Sequence, residues 1–246
     1  MTLDWQHHIA DVISRTEKEL GVRHLISQNI ANKKARVTNP HPAVSVFNFH
    51  YANPPDTIAL NRELNRPIGD NETGFKGNAD DHYRMEAWEF ILAGGALYNN
   101  LDYSFTAGHE DGTFAYPKTQ PGGGNPGFRR QMKFLKDFIH GFNFLKMNPS
   151  PQLVHGLPKK TRRQLLAEPG RQYAGYFKGE GLEGLQLELP AGSYRVEWYD
   201  VRNGQIVSTT EIGHPGGDAS IATPASHQEL ALSVLAKDGR RVDSPD

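Results

Sequence analysis

Strand and helix patterns alternate along the first two thirds of this 246-residue chain. Apolar, β-branched and aromatic runs predict four strands, at residues 24–29, 44–51, 68–72 and 96–105. Helical patterns lie around and between them, at residues 5–20, 56–64, 80–93 and 128–144. Alternation of this kind predicts parallel β/α units. The four units span only about 145 residues, whereas a closed eight-stranded barrel takes roughly 250, so the sequence predicts half of a barrel.

The pattern changes at about Arg171 to short strands with alternating apolar and polar residues. These predicted strands cover residues 173–177, 185–189, 194–199, 205–207 and 230–235. Turn sequences at 190–192 and 203–204 separate some of them, which is typical of a small antiparallel β-sandwich. We therefore expect an α/β plus all-β fold, with a partial (β/α)8 TIM barrel over residues 1–168 and a β-sandwich over residues 169–246. The basic run from Lys159 to Arg163 is interpreted as the solvated start of a helix.

Composition excludes several functions. The formal net charge of -1 gives no basic excess for phosphate groups, so we expect no nucleic-acid partner. The absence of cysteine excludes disulfides, thiolate metal sites and a cysteine nucleophile. No apolar stretch approaches the roughly 20 residues that span a bilayer, so no membrane partner is expected either. No signal peptide precedes the first helix, and because that helix begins directly after Met1 we expect that upstream sequence is missing.

The segment from Pro67 to Phe75, PIGDNETGF, contains the strongest candidate for catalysis. Glu72 stands at the end of a short apolar strand and is closely followed by Gly74. Active sites of α/β barrels collect at the carboxyl ends of the strands. Most glutamates are surface acids, but this position favours a catalytic carboxylate. Glycosidases need two such carboxylates, so the chemistry depends on a partner for Glu72.

Polar and aromatic residues also end the other three predicted strands. Asn29 ends the first strand, His50 and Tyr51 end the second, and Asn99, Asp102 and Tyr103 lie at or near the fourth. A histidine and a tyrosine can hydrogen-bond a neighbouring carboxylate, and packing of the two rings against a loop is the equally strong alternative. Amides, carboxylates and aromatic rings in one cleft suit a polyhydroxylated ligand. We therefore expect a carbohydrate substrate.

One short segment, His109-Glu-Asp111, contains residue types that bind metals. Adjacent side chains rarely point the same way, and no second histidine stands at helical ligand spacing. We therefore expect neither a metal site nor a cofactor. An ion bound to the oxygen-rich set of Asp102, Glu110 and Asp111 would be calcium rather than zinc.

Four segments of the first two thirds resemble the carboxyl-terminal half of cellulase-like glycoside hydrolases. They are HLISQN at 24–29, NFHY at 48–51, GDNETGF at 69–75 and AGGALYNNLDYSF at 93–105. Those enzymes are (β/α)8 barrels of the retaining clan, with catalytic acids on the fourth and seventh strands. The segment LELPAGSYRVEWYD at 187–200 resembles the β-sandwich that follows such barrels, a module often labelled a collagen-binding domain.

By this resemblance the four strands would be the fifth to the eighth of the barrel, and Glu72 would be the nucleophile on the seventh. His50 and Tyr51 would lie beside it, and Tyr103 would stand near the stacking tryptophan of many relatives. The family's acid/base is a glutamate that follows an asparagine on the fourth strand. Asn71-Glu72 is the only such pair in this sequence, so the acid/base is missing.

Three further expectations concern the isolated chain and the full-length protein. The amino-terminal half of the barrel is the expected partner of this chain. The isolated chain should hydrolyse glycosides poorly or not at all, because general acid–base catalysis is typically worth about 10²–10⁴-fold in rate. The full-length protein would be secreted or periplasmic, with its export signal upstream.

A non-catalytic carbohydrate- or matrix-binding protein is the alternative from a different functional class. The sandwich would then bind its ligand through Tyr194, Trp198 and Tyr199. Successive residues of a strand alternate between the two faces of a sheet, so packing of this aromatic row in the core is the favoured interpretation.

Overall fold

The computed structural model of this chain describes residues 2–52, 54–117, 123–225 and 227–237. It begins with helix α1 (Leu3–Leu20), in which the Thr2 hydroxyl accepts a hydrogen bond from the backbone N–H of Trp5. Gly21 ends the helix in the left-handed region, at φ +70°. Ala10 is the only residue of α1 that is buried, so this helix lies on the outside of the fold. None of the described helices is long and apolar enough to cross a membrane.

Four parallel strands form the first sheet, in the order β1-β2-β3-β4. The strands are β1 (Ile26–Asn32), β2 (Val44–His50), β3 (Ile68–Thr73) and β4 (Leu97–Asn100). The helices that connect or follow them are α2 (Asp56–Asn61), α3 (Asp80–Leu92) and α4 (Pro126–His140). Phe47, Phe49 and Phe90 are fully buried in the core that the sheet shares with its helices.

Antiparallel strands form most of the remaining described structure. One sheet has the order β11-β10-β13-β8-β7-β5, and a second has the order β12-β9-β6. Their bounds are β5 (Asn148–Pro149), β6 (Val154–His155), β7 (Arg162–Glu168), β8 (Gln172–Lys178), β9 (Gln186–Leu189), β10 (Gly192–Asp200), β11 (Ile206–His214), β12 (Gly217–Ser220) and β13 (Glu229–Ala236). Side chains of both sheets meet in one core that contains Phe177, Trp198 and Leu187. The predicted fold class is confirmed, because a four-stranded parallel α/β sheet is followed by antiparallel sheets.

The basic run before β7 does not start a helix, so that interpretation was wrong. Arg162 is the first residue of β7, and its Nη1 lies 2.9 Å from Glu89 Oε2 of α3. Both faces of β7 are covered, since Leu165 and Ala167 belong to the sandwich core and Leu166 packs with the helices. A strand buried on both faces lacks period-two alternation, which is why the sequence pattern did not indicate it. Antiparallel pairing thus begins before residue 169, and the division at 168/169 stays a prediction.

Helices α3 and α4 pack against the six-stranded sheet. Trp88 of α3 is fully buried, and its ring stacks on Tyr176 of β8 with the centroids 5.7 Å apart. A buried ion pair crosses the same interface, where Arg84 Nη2 lies 2.6 Å from Glu229 Oε2. Burial opposes ionisation of Glu229, but its bonds to Arg84 outweigh burial, and the pKa of Glu229 is lowered. Helix α3 is therefore both packed and charge-paired against the sandwich.

The aromatic row of β10 lies in the core. Tyr194, Trp198 and Tyr199 are all buried. Trp198 Nε1 donates to Ala222 O at 2.9 Å, and the Tyr194 hydroxyl donates to Pro190 O at 2.9 Å. The packing interpretation is confirmed, and the alternative in which this row binds a glycan or a matrix protein is wrong, because the rings are not open to a ligand.

The parallel sheet has two open edges. In the described part of the chain, β1 pairs only with β2 and β4 pairs only with β3, whereas a closed barrel has no edge strands. A groove of about 1040 Å³ runs beside β4 and α4. Leu97 of β4 is 45% exposed, although it is a leucine in a strand. The sheet is therefore the arc of a barrel that does not close.

Candidate active site

Glu72 lies next to the carboxyl end of β3, and two residues at the end of β2 contact its carboxylate. The Tyr51 hydroxyl donates a hydrogen bond to Glu72 Oε1 at 2.5 Å. His50 Nδ1 lies 3.4 Å from Glu72 Oε2, and the Glu72 side chain is 32% exposed. Each carboxylate oxygen therefore has one contact from β2, and the group remains open to a substrate.

An irregularity in the pairing of β2 and β3 produces this arrangement. Phe49 is opposite Asp70, but the register shifts after this pair, so that His50 is opposite Glu72. Tyr51 follows with a left-handed backbone, at φ +52°, and its N–H donates to Glu72 O at 2.7 Å. A left-handed backbone is uncommon for tyrosine, and such conformations cluster at functional sites. The register shift and this turn together bring both side chains to Glu72.

The protonation state of Tyr51 suits this contact. Burial raises the pKa of Tyr51 to about 12, and the hydrogen bond to Glu72 adds to the rise. A phenol with this pKa is protonated at neutral pH. Tyr51 is therefore the donor and Glu72 the acceptor, which holds one carboxylate oxygen in a defined position.

Asparagine side chains are joined across the sheet beside Glu72. Asn71 Nδ2 donates to Asn29 Oδ1 at 3.3 Å, and Asn99 Nδ2 donates to Asn71 O at 3.2 Å. The predicted residues Asn29 and Asn99 are thus brought together through Asn71, which sequence reasoning did not identify. A second missed amide, Asn48 of β2, sits against Gly69, where a Cβ atom would lie 2.0 Å from Asn48 Oδ1. Period-two spacing from His50 could have indicated Asn48, whereas Asn71 alternates with Glu72 and that pattern does not indicate it.

Asp102 and Tyr103 lie in the loop after β4, because β4 ends at Asn100 rather than at the predicted residue 105. Asp102 Oδ1 accepts from the backbone N–H of Ser104 at 3.0 Å, and Asp102 Oδ2 accepts from Arg129 Nη1 at 3.0 Å. The hydrogen bond from Ser104 to the Asp102 side chain is typical of a turn, and this turn follows the end of β4. Both oxygens of Asp102 are thus bound within the loop and α4, and its role in substrate binding stays a prediction.

Tyr103 remains available to a ligand. Its side chain is 37% exposed, and its ring centroid lies 6.5 Å from that of Tyr116. The predicted contact of Tyr103 with substrate stays a prediction.

Asp70 is a buried acid that sequence reasoning did not select. It lies two residues before Glu72 and is only 2% exposed. Burial raises the pKa of Asp70 to about 7, against hydrogen bonds from the backbone of Ala52 and Glu72 that lower it. Its Oδ1 has no hydrogen-bond partner among the residues that the structure describes. The sequence offered little signal for its burial, because Asp70 stands between Gly69 and Asn71.

The described residues do not place a second exposed carboxylate in contact with Glu72. Asp70 is too deeply buried to touch a substrate. Glu86 is held by neighbours, since its Oε2 accepts from the Thr73 hydroxyl at 2.9 Å and its Oε1 lies 2.9 Å from His82 Nε2. Within the described ranges, no group of three or more histidine, aspartate or glutamate residues could hold a metal ion.

Two solved structures share this fold over 96% of the chain. One is a glycoside hydrolase family 5 protein from Bacteroides vulgatus, with a TM-score of 0.64 and 15% identity. The other is described as a glycoside hydrolase, with a TM-score of 0.62 and 16% identity. The matched region covers 61% of each of those chains, so this chain spans about three fifths of their length. No family model and no curated protein matches the chain.

The similarity to these structures is a similarity of fold. The chain shares the fold of part of each of those two chains, with a parallel α/β sheet followed by antiparallel β-sheets. Identities of 15% and 16% are too low to transfer an activity or a substrate. A function for this chain therefore has to be argued from the geometry around Glu72.

Proposed function

We propose that Glu72 is the nucleophile of a retaining glycoside hydrolase. This chain would form the carboxyl-terminal part of its barrel and the following sandwich. The contact of Tyr51 and His50 with Glu72, at the carboxyl ends of two adjacent parallel strands, is the observation that carries the proposal. The fold that the chain shares with glycoside hydrolases supports this choice of chemistry by analogy.

In this reaction a carboxylate oxygen of Glu72 attacks the anomeric carbon of the sugar. The bond from that carbon to the leaving oxygen breaks, and a glycosyl ester forms on Glu72. The Tyr51 hydroxyl orients the carboxylate for attack, because it holds Oε1 at 2.5 Å. Water then hydrolyses the ester and restores the free carboxylate.

A second carboxyl group is needed for both steps. In retaining enzymes it lies roughly 5–5.5 Å from the nucleophile, protonates the leaving oxygen and then activates water. We assign this group to the amino-terminal half of the barrel, which would also close the open edges of the sheet. The isolated chain would then form the ester only with a leaving group that needs no proton.

The resemblance to cellulase-like glycoside hydrolases supports a more specific assignment. The substrate is a polysaccharide or oligosaccharide, and Asn29, Asn99, Asp102 and Tyr103 are proposed to contact it. The barrel is proposed to be cellulase-like, and the sandwich to correspond to the module labelled a collagen-binding domain.

Covalent labelling tests the nucleophile without the missing acid/base. A 2-deoxy-2-fluoro glycosyl fluoride releases fluoride, which needs no protonation, and its ester with the enzyme is long-lived. The chain is incubated with gluco-, xylo-, manno- and galacto-configured reagents and then analysed by peptide mass spectrometry. We expect one glycosyl adduct, on the peptide that contains Glu72.

Two variants control the labelling. Glu72→Gln should abolish the adduct, whereas Glu110→Gln, which alters an exposed loop acid, should leave it unchanged. An adduct on Glu110 or on another acid would contradict the assignment. The assignment would also be contradicted if none of the four reagents labelled the folded wild-type chain.

A further inference from the structure

Phe75 combines two features that stability does not explain. Its side chain is 67% exposed, and its backbone is left-handed, at φ +64°. A left-handed backbone is unfavourable for an ordinary residue, and glycine or asparagine adopts it more easily. Burial does not offset this cost, because most of the ring is in solvent. Single exposed aromatic residues are common, but an exposed and strained one beside a candidate site indicates a function.

The ring of Phe75 lies next to the catalytic contact. Its centroid is 5.5 Å from that of Tyr51, and the two ring planes meet at 47°. Tyr51 is the residue whose hydroxyl donates to Glu72. Phe75 therefore packs against the ring of the tyrosine that holds the proposed nucleophile, and most of the Phe75 side chain stays open to solvent.

We propose that Phe75 is the stacking platform for a sugar ring bound beside the ring that reacts at Glu72. The inference rests on the proposed function and specifies its substrate class. An aromatic face attracts the C–H groups of a sugar, and sugars with all hydroxyls equatorial present such C–H groups on both faces. Phe75 should therefore favour gluco- and xylo-configured chains over manno-configured chains, in which the hydroxyl at C2 is axial.

Binding by the 246-residue chain tests this inference. The probes are cellotetraose, xylotetraose and mannotetraose, titrated into wild type, Phe75→Asn and Phe75→Trp while amide signals are followed by NMR. Asparagine accepts a left-handed backbone, so Phe75→Asn should keep or raise the melting temperature. It should raise the Kd for cellotetraose or xylotetraose about three- to tenfold, the size of one aromatic contact. Phe75→Trp should keep the wild-type affinity.

Two outcomes would overturn the inference about Phe75 alone. One is an unchanged Kd for Phe75→Asn when the wild type binds at Glu72. The other is a fall of several degrees in melting temperature, which would show that the ring stabilises the loop. If the wild type binds no probe, or binds away from Glu72, the proposed function fails together with this inference. A preference for mannotetraose would contradict the sugar specificity proposed for Phe75, but it would not contradict the assignment of Glu72 as the nucleophile.

Discussion

The sandwich and the parallel sheet use buried space in different ways. The sandwich core is apolar and aromatic, with Phe177 and Trp198 packed edge to face at 5.8 Å. The parallel sheet buries Asn48 and Asp70, and one oxygen of each has no partner among the described residues. Buried polar atoms without partners cost stability. Among the described residues the sandwich sheets leave one such side-chain atom, Ser233 Oγ, whereas the parallel sheet has three, on Asn48, Asp70 and Asn71. These three residues lie in β2 and β3, the strands that carry His50 and Glu72, and functional sites commonly accept such a cost.

The two regions meet at helices α3 and α4, and a substitution there should have the largest effect on stability. Trp88 is fully buried and stacks on Tyr176, so Trp88→Ala should lower the free energy of unfolding by about 3–5 kcal/mol. Trp5 of α1 is 49% exposed, and Trp5→Ala should cost less than about 1 kcal/mol. Urea unfolding of both variants, followed by circular dichroism, measures the difference.

A similar loss in the free energy of unfolding for Trp88→Ala and Trp5→Ala would contradict this view of the interface. That result would show that the helices do not depend on the sandwich for their packing. A biphasic transition in Trp88→Ala would sharpen the comparison instead, since it would show that the sandwich stays folded after the parallel sheet has unfolded.

The sequence was sufficient for the fold class and for the choice of Glu72 as a candidate, but not for β7, whose first residues were interpreted as the start of a helix. Period-two runs and helical runs define the parallel units, and Glu72 stands where an apolar strand meets a glycine. The contact between Tyr51 and Glu72 depends on a register shift, which no local pattern specifies. The loop around Asp102 depends on Arg129, whose position in space follows only from the packing of α4.

The cost of polar burial in the parallel sheet should depend on pH through Asp70. The pKa of Asp70 is about 7 in the folded state and about 3.9 in unfolded chains. The contribution of Asp70 to the free energy of unfolding is therefore highest at low pH, and it falls as the pH rises from about 4 through 7. Asp70→Asn removes this penalty. The variant should gain about 2 kcal/mol more over wild type at pH 8.5 than at pH 5.5.

Urea unfolding at the two pH values measures this gain. Asp56→Asn is the control, because Asp56 is an exposed acid that pairs with Lys34 on the surface, and its effect should be small at both pH values. An equal gain for Asp70→Asn at both pH values would show that the Asp70 carboxyl does not titrate between them.

The smallest effect on stability is expected at Tyr51, although its effect on reactivity should be clear. Tyr51→Phe removes the hydrogen bond to Glu72, but that carboxylate is 32% exposed and water can replace the donor, so the loss should be about 1 kcal/mol. Labelling of Glu72 should slow by about tenfold, because the carboxylate is no longer held for attack. Tyr173→Phe is the matched control, since its oxygen accepts from Gly170 N at 2.7 Å in the sandwich. It should lose similar stability and keep the wild-type labelling rate, whereas equal labelling rates in both variants would show that Tyr51 does not orient Glu72.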